Sequence, residues 1–417
     1  MKIEVLSNNI GNIEEMPIEL VERKGIGHPD TLADMIADEF SNRYSRFCLD
    51  KFGVIPHHWA DKVTLVGAKS EIGYGTSKLL RPIKAFQFGR ITPDIGDMHI
   101  DVDGIFKNSV QIVMKNVFPD AYLDGFIDCE AITHDGAGPD HPKEFYDPKS
   151  VKDVGKTQEK PKSNDTMIMT SYAGYSPIDI MCLEIENYLN SRNFKKKYPQ
   201  TGYDVKVLAS RFEHDVDVTV CVPFIGLKTP NFREYKDALA AIQIEVNQKL
   251  KEIYPKYKIS LHFNTKDFGE YAYLTFFGTS LDKGGCGAVG RGNRFNGLIT
   301  PTREMSVEAP SGKNPTHHSG RLYSEAAFRI SKDIYLQCGV QNYLNIIARN
   351  GDNLDDPAFV FVKCSGDVSK QANQIRQIVK NSMDDIAGLT KEIVFYNPVD
   401  KHVERPRELY SAGRWLI

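Results

Sequence analysis

The chain of 417 residues lacks any paired arrangement of cysteine. Its seven cysteines are scattered singly, no C-x-x-C pair occurs, and the total is odd. This pattern excludes a disulfide-stapled secreted domain and a zinc site with the usual spacing of cysteine ligands. We therefore expect a protein of a reducing compartment, and we assign it to the cytoplasm.

The sequence also lacks long apolar runs and an excess of charge of either sign. Its apolar runs are far shorter than a membrane span, and residues 1–24 contain acidic residues but no apolar core of a signal peptide. The net charge of -3 argues against nucleic acid or a membrane as a bulk electrostatic partner. The length suggests two or three domain-sized units, and 41% hydrophobic residues suffice for ordinary cores.

A third absence is the Walker A string G-x-x-x-x-G-K-[ST], so a triphosphate site in this chain needs another design. Gly285, Gly287 and Gly290 do match G-x-G-x-x-G. A dinucleotide-binding fingerprint must open a helix at once, however, and the residues that follow are Arg-Gly-Asn-Arg-Phe-Asn-Gly, which are poor helix formers. A nicotinamide-dependent oxidoreductase is therefore not favoured.

What the sequence does contain is a glycine-rich, cationic segment at residues 284–323, GGCGAVGRGNRFNGLITPTREMSVEAPSGKNPTHHSGRLY. No helical or strand periodicity runs through it for long. Glycine lets backbone amides approach an anion closely, and cationic side chains neutralise the anion. The cations here are Arg291, Arg294, Arg303, Lys313 and Arg321. We interpret residues 284–323 as a polyphosphate cradle and call them the cradle segment.

A second candidate site is VERKGIGHPD, which directly precedes a helix that apolar spacing predicts over residues 31–48. His28 and Asp30 stand at or just before its N-cap, where free amides and the helix dipole attract anions. An anion there would meet a histidine donor and a carboxylate that can bind a metal ion. The alternative is that Asp30 or Thr31 only caps the helix and that His28 is a loop residue.

Other candidates are less specific. Asp61 begins a predicted strand and could bind a cation, although exposed acids at strand ends usually have no function. His57 and His58, just before it, are assigned no role. Asp165 stands directly before an apolar run. The cluster Lys195–Lys197 ends a predicted helix, so it either reaches a phosphate or complements the helix C-terminus.

Periodicity predicts further helices over residues 177–194, 232–254, 321–336 and 368–386. It predicts strands over residues 61–67, 99–105, 205–208, 216–222, 259–263, 271–277 and 358–363, with 259–263 paired to 271–277. Strands near one long amphipathic helix recur about three times, which indicates the α/β (α+β) class, with helices layered on mixed or antiparallel sheets. Residues 134–164 are predicted as a long surface loop or lid, with a tolerated insertion as the alternative. The tail is expected to be broken by proline.

Together these features fit a reaction in which a polyphosphate is the leaving group. Such a group accumulates negative charge, which cations and hydrogen-bond donors already in place can stabilise. An enzyme of this kind needs no covalent nucleophile, and no Ser-His-Asp or Cys-His set is evident in the sequence.

Five motifs closely resemble the archaeal type of the S-adenosylmethionine synthetase (methionine adenosyltransferase) family. They are, in chain order, VERKGIGHPD, SNDT, LNSRNFKKKYP, VGRGNRFNGLITP, and SGKNP with a following histidine. The resemblance implies three related α/β subdomains around a pseudo-threefold axis, at approximately residues 1–133, 165–265 and 266–400. It implies a homodimer with active sites between subunits, which converts ATP and methionine and then hydrolyses the released tripolyphosphate to pyrophosphate and phosphate. Mg²⁺ is the implied cofactor, and K⁺ assists many members.

The resemblance also implies roles for individual residues. His28 would polarise the departing triphosphate, and Asp30 would bind Mg²⁺. Arg291 and Lys313 would bind the triphosphate. The remaining matches concern binding of ATP, substrate or cations, and they are Asp165, Arg294, Gly290, His318, one lysine of the Lys195–Lys197 cluster (taken as Lys196), and Asp61 as a neighbour of K⁺ or Mg²⁺.

Three departures from the family pattern affect the amino-acid half of the site. Residues 284–287 lack the acid that usually helps to hold the amino group of methionine. The run after N-D-T is MIMTSYAGY, and the neighbours of the histidine that follows SGKNP are altered. Two alternatives follow, namely a paralogue that adenosylates a different thioether and a non-catalytic ATP-binding partner of an active synthetase.

Overall fold

The structure, a computed structural model, describes residues 1–139, 141–158 and 160–410. In these residues the strands are β1 (Lys2–Leu6), β2 (Ile18–Lys24), β3 (Lys62–Val66), β4 (Lys69–Gly73), β5 (Thr76–Arg81), β6 (Ile83–Arg90), β7 (Asp94–Ile95), β8 (Met98–His99), β9 (Ile127–His134), β10 (Met167–Ala173), β11 (Lys206–Phe212), β12 (Asp215–Cys221), β13 (Phe224–Ile225), β14 (Lys258–Phe263), β15 (Leu274–Thr275), β16 (Gly287–Ala288), β17 (Asn342–Ala348) and β18 (Phe359–Cys364). The helices are α1 (Pro29–Phe52), α2 (Val102–Val117), α3 (Val151–Gln158), α4 (Pro177–Leu189), α5 (Arg192–Lys197), α6 (Phe232–Ile253), α7 (Ser319–Cys338), α8 (Ala372–Asp384), α9 (Leu389–Phe395) and α10 (Pro398–Arg407).

Three four-stranded sheets share one pairing pattern. The first has the order β1-β18-β17-β10, the second β14-β12-β11-β2 and the third β9-β6-β3-β16. In each sheet, read in this order, the first pair is parallel and the next two pairs are antiparallel. The predicted mixed sheets of an α/β fold are therefore confirmed.

The last strand of each sheet leads through one long helix into the next sheet. Strand β10 continues through α4 into β11, β2 through α1 into β3, and β16 through α7 into β17. The three connections form a closed cycle among the sheets. This cycle of three similar connections is the pseudo-threefold arrangement that the family resemblance implies.

Helices cover one face of each sheet and form three cores. Around α1 and α2 the core contains Phe40, Phe106 and Val113; around α4 and α6 it contains Ile185, Val218 and Ile242; around α7 and α8 it contains Ile330, Leu344 and Val379. Burial of such apolar faces supplies the main driving force for folding. Within the described ranges, no helix is both long and apolar enough to cross a membrane.

Helix α1 is the central element of the third sheet's helical layer. Pro29 occupies its first turn, where the missing amide costs no helical hydrogen bond, and Gly53 ends it with φ 75°. The helix predicted at residues 31–48 is thus confirmed, with one further turn at its C-terminal end. Its packing against α2, β3 and β16 fixes its N-terminus beside the cradle segment.

The cradle segment contacts one strand of each of the three sheets. Its strand β16 pairs with β3 of the third sheet, Ile299 bridges to Glu22 of the second, and the Ser306 hydroxyl hydrogen-bonds the backbone of Thr170 in the first. No helix follows Gly290 at once, so the objection to a dinucleotide-binding fingerprint is confirmed.

Some predicted elements are wrong. Of residues 99–105 only His99 is in a strand, β8, because the Asp101 side chain accepts the backbone N–H of Gly104 and starts α2. Strand β14 pairs in parallel with β12 rather than with the region 271–277, where only β15 is a strand.

Three further boundaries also differ from prediction. The helix predicted over 177–194 divides at Asn190 into α4 and α5. The predicted loop 134–164 contains α3, and the predicted proline-broken tail contains α10, which begins at a proline. Asp140 and Glu159 of that loop, and residues 411–417 of the tail, lie outside the described residues.

Candidate active site

His28 is the N-cap residue of α1. Its ring Nδ1 accepts a hydrogen bond of 3.1 Å from the backbone amide of Asp30. Because Nδ1 is the acceptor, the proton of the neutral ring is on Nε2. The structure thus gives the capping role to His28 itself, and it leaves Nε2–H as a donor.

Asp30 connects the helix start to the cradle segment. Its Oδ1 accepts the backbone N–H of Ala288 at 3.1 Å, and its Oδ2 lies 2.9 Å from the Lys24 amine. The same amine donates to the main-chain carbonyl of Arg291 at 2.6 Å. Lys24 therefore holds the helix start and the arginine of VGRGNR at one place.

Burial lowers the pKa of His28 below its ordinary value, although the carboxylates of Asp204 and Asp30 oppose the shift. The ring is therefore neutral at neutral pH. Asp204, which sequence reasoning missed, accepts hydrogen bonds from the Ser280 amide at 2.8 Å and the Tyr273 hydroxyl at 3.0 Å. The only sequence signal for it was an acid directly before a predicted strand.

Three aspartates on one face of α1 hold the cradle segment by its backbone. They are spaced four residues apart, so their side chains lie above one another on successive turns. Asp30 accepts from Ala288 at 3.1 Å, Asp34 from Gly290 at 2.9 Å and Asp38 from Gly312 at 2.9 Å. Helix α1 thereby positions both the glycine-rich start of the segment and the SGKNP motif.

Two of these aspartates have contrasting surroundings. Burial, together with the neighbouring Asp38, raises the pKa of Asp34 to about 7 against the opposing hydrogen bond from Gly290. The carboxylate of Asp38 is paired, because it lies 2.8 Å from the Arg321 guanidinium and accepts from the Tyr396 hydroxyl at 2.8 Å. Asp38 therefore joins α1, the SGKNP motif, α7 and the end of α9.

Lys313 is buried among carboxylates. Its amine lies 3.2 Å from Asp61 and also pairs with Glu308. Burial alone would raise the pKa of Asp61, but Lys313 and Lys62 hold it below its ordinary value. Asp61 is thus ionised and paired with the lysine that the resemblance assigns to the triphosphate.

The two predicted metal ligands are each paired with a lysine. In the part of the chain that the structure describes, no group of three or more His, Cys, Asp or Glu side chains could hold a metal ion. Mg²⁺ commonly keeps several waters and takes one or two carboxylates together with substrate phosphates. Asp30 fits such a role as a single carboxylate, whereas Asp61 would have to exchange Lys313 for the ion.

The arginines of the cradle segment differ in availability. Arg291 is exposed, and its guanidinium has no partner among the described residues. Arg294 donates to the carbonyls of Gly290 at 2.6 Å, Gly292 at 2.9 Å and Ser306 at 3.3 Å. Arg291 is therefore free to meet an anion, while Arg294 braces the loop that carries it and would bind substrate in competition with these carbonyls.

The histidines near the SGKNP motif are buried. His318 caps α7 by accepting the backbone N–H of Gly320 at 3.1 Å, and burial and Lys313 lower its pKa well below the ordinary value. His58 contacts Ser41 at 2.8 Å, and His57 contacts His317 at 3.1 Å. The two histidines without an assigned role thus lie next to the site and pack against the loop that carries Lys313.

Asp165 and Lys196 are not brought into the cluster around α1. Both are exposed, and the carboxylate of Asp165 accepts the backbone N–H of Thr166 at 2.7 Å. Its neighbour Asn164 does reach the start of α7, where it accepts from the Ser319 amide at 3.0 Å. Lys195 is the half-buried member of the lysine cluster, whereas Lys196 and Lys197 are exposed.

Known proteins of one family are similar to this chain over nearly its whole length. A sequence model of the S-adenosylmethionine synthetase (AdoMet synthetase) family matches residues 1–396. The chain is 34% identical over 388 residues to an S-adenosylmethionine synthase of Pyrobaculum neutrophilum, covering 90% of this chain and 94% of the relative. It is 35% identical over 393 residues to that of Thermoplasma volcanium, with 90% and 94% covered.

A solved structure shares the fold. It is an unusual S-adenosylmethionine synthetase from Campylobacter jejuni, with a TM-score of 0.58 and 15% identity, and 96% of each chain is covered. The similarity thus extends across all three sheets and their helices.

Proposed function

The chain belongs to the S-adenosylmethionine synthetase family, and we propose that it transfers the adenosyl group of ATP to methionine. The methionine sulfur forms a bond to C5′ of ATP, and the bond from C5′ to the triphosphate oxygen breaks with its electron pair on tripolyphosphate. The chain is thus a transferase of the methionine adenosyltransferase type. Its relatives carry the synthase name across 90% of the chain, which does not favour a different thioether acceptor or a non-catalytic partner.

The observation that carries the proposal is the position of Lys24. Its amine contacts both the Asp30 carboxylate and the main-chain carbonyl of Arg291. A neutral donor ring and a carboxylate therefore lie at the N-terminus of α1, and the backbone of Arg291, whose guanidinium is exposed, is held beside them. Donors that are already in place where charge develops stabilise a transition state without further reorganisation.

We assign each group a part in the departure of the triphosphate. His28 donates through Nε2–H to the oxygen that leaves C5′, and Arg291 pairs with phosphate oxygens. Lys313 provides a second cation, and its neighbour Gly312 is held by Asp38, which lies two helical turns along α1 from Asp30, about 12 Å at the helical rise. Its pairs with Asp61 and Glu308 hold the amine in place before substrate binds.

Mg²⁺, when bound, would neutralise phosphate oxygens, and Asp30 is the residue that would hold it. Hydrolysis of tripolyphosphate to pyrophosphate and phosphate is the second step of the proposal. K⁺ near Asp61 stays a prediction, as do the substrate contacts of Asp165, Arg294, Lys196, Gly290 and His318.

We further propose that the chain acts as a homodimer in the cytoplasm. Each sheet leaves one face uncovered by helices, and these faces carry apolar side chains such as Leu208 and Phe212. Apolar faces of this kind commonly mark association sites. All seven cysteines are free thiols, in agreement with a reducing compartment.

The test is product analysis of the purified chain with ATP, Mg²⁺ and methionine. We expect S-adenosylmethionine, pyrophosphate and phosphate in equal amounts, and a loss of about 10²-fold or more in turnover for His28→Asn, since a donor at the leaving oxygen is displaced. His99→Asn, which alters an exposed histidine paired with Asp94, should leave turnover unchanged. Tight binding of ATP without any product would contradict the proposal and support the non-catalytic alternative.

A further inference from the structure

An apolar cavity of about 430 Å³ lies outside the site described above. Aromatic rings form much of its wall, contributed by Phe118, Tyr122, Phe126, Tyr203, Phe276 and Phe277. Its volume is within the range of small-ligand pockets, roughly 300–1,000 Å³. Among the described residues that line it, none has a part in the proposed reaction.

A half-buried lysine, Lys195, stands in the wall of this cavity. The Lys195 amine donates to the Thr201 hydroxyl at 3.2 Å and to the carbonyl of Gly202, and it lies 4.8 Å from the centre of the Tyr203 ring. An ammonium group has three N–H donors, so one donor remains beyond these two bonds. Burial lowers the pKa of Lys195 to about 7, and Glu186 opposes the shift.

No carboxylate of the described residues forms an ion pair with Lys195. Glu186 is committed elsewhere, because it lies 3.0 Å from the Arg23 guanidinium and accepts from the Asn190 amide at 2.7 Å. Even a partly buried cation without an anionic partner loses part of its hydration without an ion pair to replace it. An anion that entered the cavity would supply the missing partner.

The charges at the exposed side of the cavity are balanced. Lys228 and Asp120 both line it and form an ion pair of 3.5 Å with each other. Tyr122 beside them is largely exposed, so this side of the cavity meets solvent. Lys195 is therefore the lining cation that would favour a negatively charged ligand in the cavity.

We propose that this cavity binds a small carboxylic acid with an aromatic or aliphatic body. The carboxylate pairs with the Lys195 amine, and the apolar body packs among the rings of Phe118, Phe126 and Phe277. None of the lining residues is assigned a part in the proposed reaction, so each site can be tested without the other.

Isothermal titration calorimetry with 3-phenylpropionate tests the site, and 3-phenylpropanol, which has the same ring and length without the charge, is the matched probe. We expect the acid to bind the unmodified chain at least tenfold more tightly than the alcohol. Lys195→Met keeps the length and removes the amine, and it should remove this preference. Lys196→Met, which alters the exposed neighbour, should keep it.

Equal binding of acid and alcohol to the unmodified chain would overturn the proposal, and this comparison needs no variant to fold. An equal loss in Lys196→Met would also overturn it. Displacement of the acid by a non-hydrolysable ATP analogue would show that the cavity is part of the nucleotide site; that result would end this inference and leave the proposed function standing. Simultaneous binding of the analogue and the acid supports a separate site.

Discussion

Arg291 differs from the other cations of the cradle segment in having an exposed guanidinium without a partner in the described ranges. Arg303 pairs with Asp179, and Arg321 pairs with Asp38, so both stabilise the fold. Removal of such buried partners would confound an activity measurement. Arg291 is therefore the position at which binding of the triphosphate can be tested without a loss of stability.

For Arg291→Ala we expect turnover to fall by about 10²-fold or more, because one electrostatic stabiliser of the leaving group is lost. The melting temperature should stay unchanged, since exposed substitutions usually alter stability by less than about 0.5 kcal/mol. Arg192→Ala, at another exposed arginine, is the control and should keep full turnover. An unchanged kcat in Arg291→Ala would remove this residue from the proposed role.

The placement of His28 and Asp30 at the start of α1 could be predicted because one motif contains both residues. Asp34 and Asp38 share their helical face at a spacing of four residues, but their partners Gly290 and Gly312 lie more than 250 residues along the chain. Spacing within a helix therefore shows which side chains align, and it does not show what they hold. The choice within the lysine cluster likewise depends on burial, which separates Lys195 from its neighbours only in the folded chain.

At the scale of elements, the decisive contact is the approach of β16 to the start of α1. A Cβ on Gly287 would lie well inside contact distance of the Pro29 carbonyl, beside the amide of Asp30. Glycine is therefore required for the strand to come this close. The same approach allows Ala288 to reach the Asp30 carboxylate.

We expect Gly287→Ala to separate β16 from α1, with a cost of roughly 1–3 kcal/mol from overpacking. Turnover should fall because Asp30 and Arg291 lose their common position. Thermal unfolding and steady-state kinetics measure the two effects, and Gly366→Ala, where a Cβ meets only Val340 at 3.9 Å, is the control. Wild-type values in both measurements would show that this contact is not needed.

Long amphipathic helices were predictable because a wide apolar face repeats through them, as in α1, α6 and α7. The alternation in residues 99–105 was misleading, since it is short and Asp101 can start a helix by accepting a backbone N–H. The pairing of β14 with β12 was missed because the following strand was taken as its hairpin partner, although α6 lies between β12 and β14 as the crossover that parallel strands need. Local patterns thus indicated most long elements but not their partners.

At the scale of the whole molecule, the repeat is one of pairing order rather than of sequence. The three sheets have the same order of parallel and antiparallel pairs. In each sheet, the chain leaves the last strand and enters the next sheet. We propose that residues 1–133, 165–265 and 266–400 each supply the main part of one interleaved unit, whereas β1, β2, β10 and β16 belong to sheets built mainly from another of these ranges. A site built where units meet draws its residues from distant parts of the chain.

The uncovered sheet faces carry exposed apolar side chains in all three sheets. They are Ile18, Leu20, Val66, Phe88, Ile132, Ile168, Leu208 and Phe212. In β11 the alternation is clear, because Val207 and Ala209 are buried under α4 while Leu208 and Phe212 are exposed. An apolar face of this kind is removed from water only when another surface covers it. The family resemblance implies that a second copy of the chain is this partner.

We therefore expect the double variant Leu208→Lys/Phe212→Lys to convert a dimer into a monomer, measured by size-exclusion chromatography with light scattering. Lysine is suited to these positions because Leu208 lies opposite Glu22 and Phe212 lies opposite Asp215 on the neighbouring strands. Each of these cross-strand pairs would then consist of opposite charges. The fold should remain intact by circular dichroism, and turnover should fall with the dimer if the active sites lie between subunits. The control Phe268→Lys/Leu336→Lys alters two apolar side chains, 80% and 63% exposed, that lie outside the sheets, and it should remain dimeric. A wild-type monomer, or a variant that still dimerises, would show that the uncovered faces are not the interface.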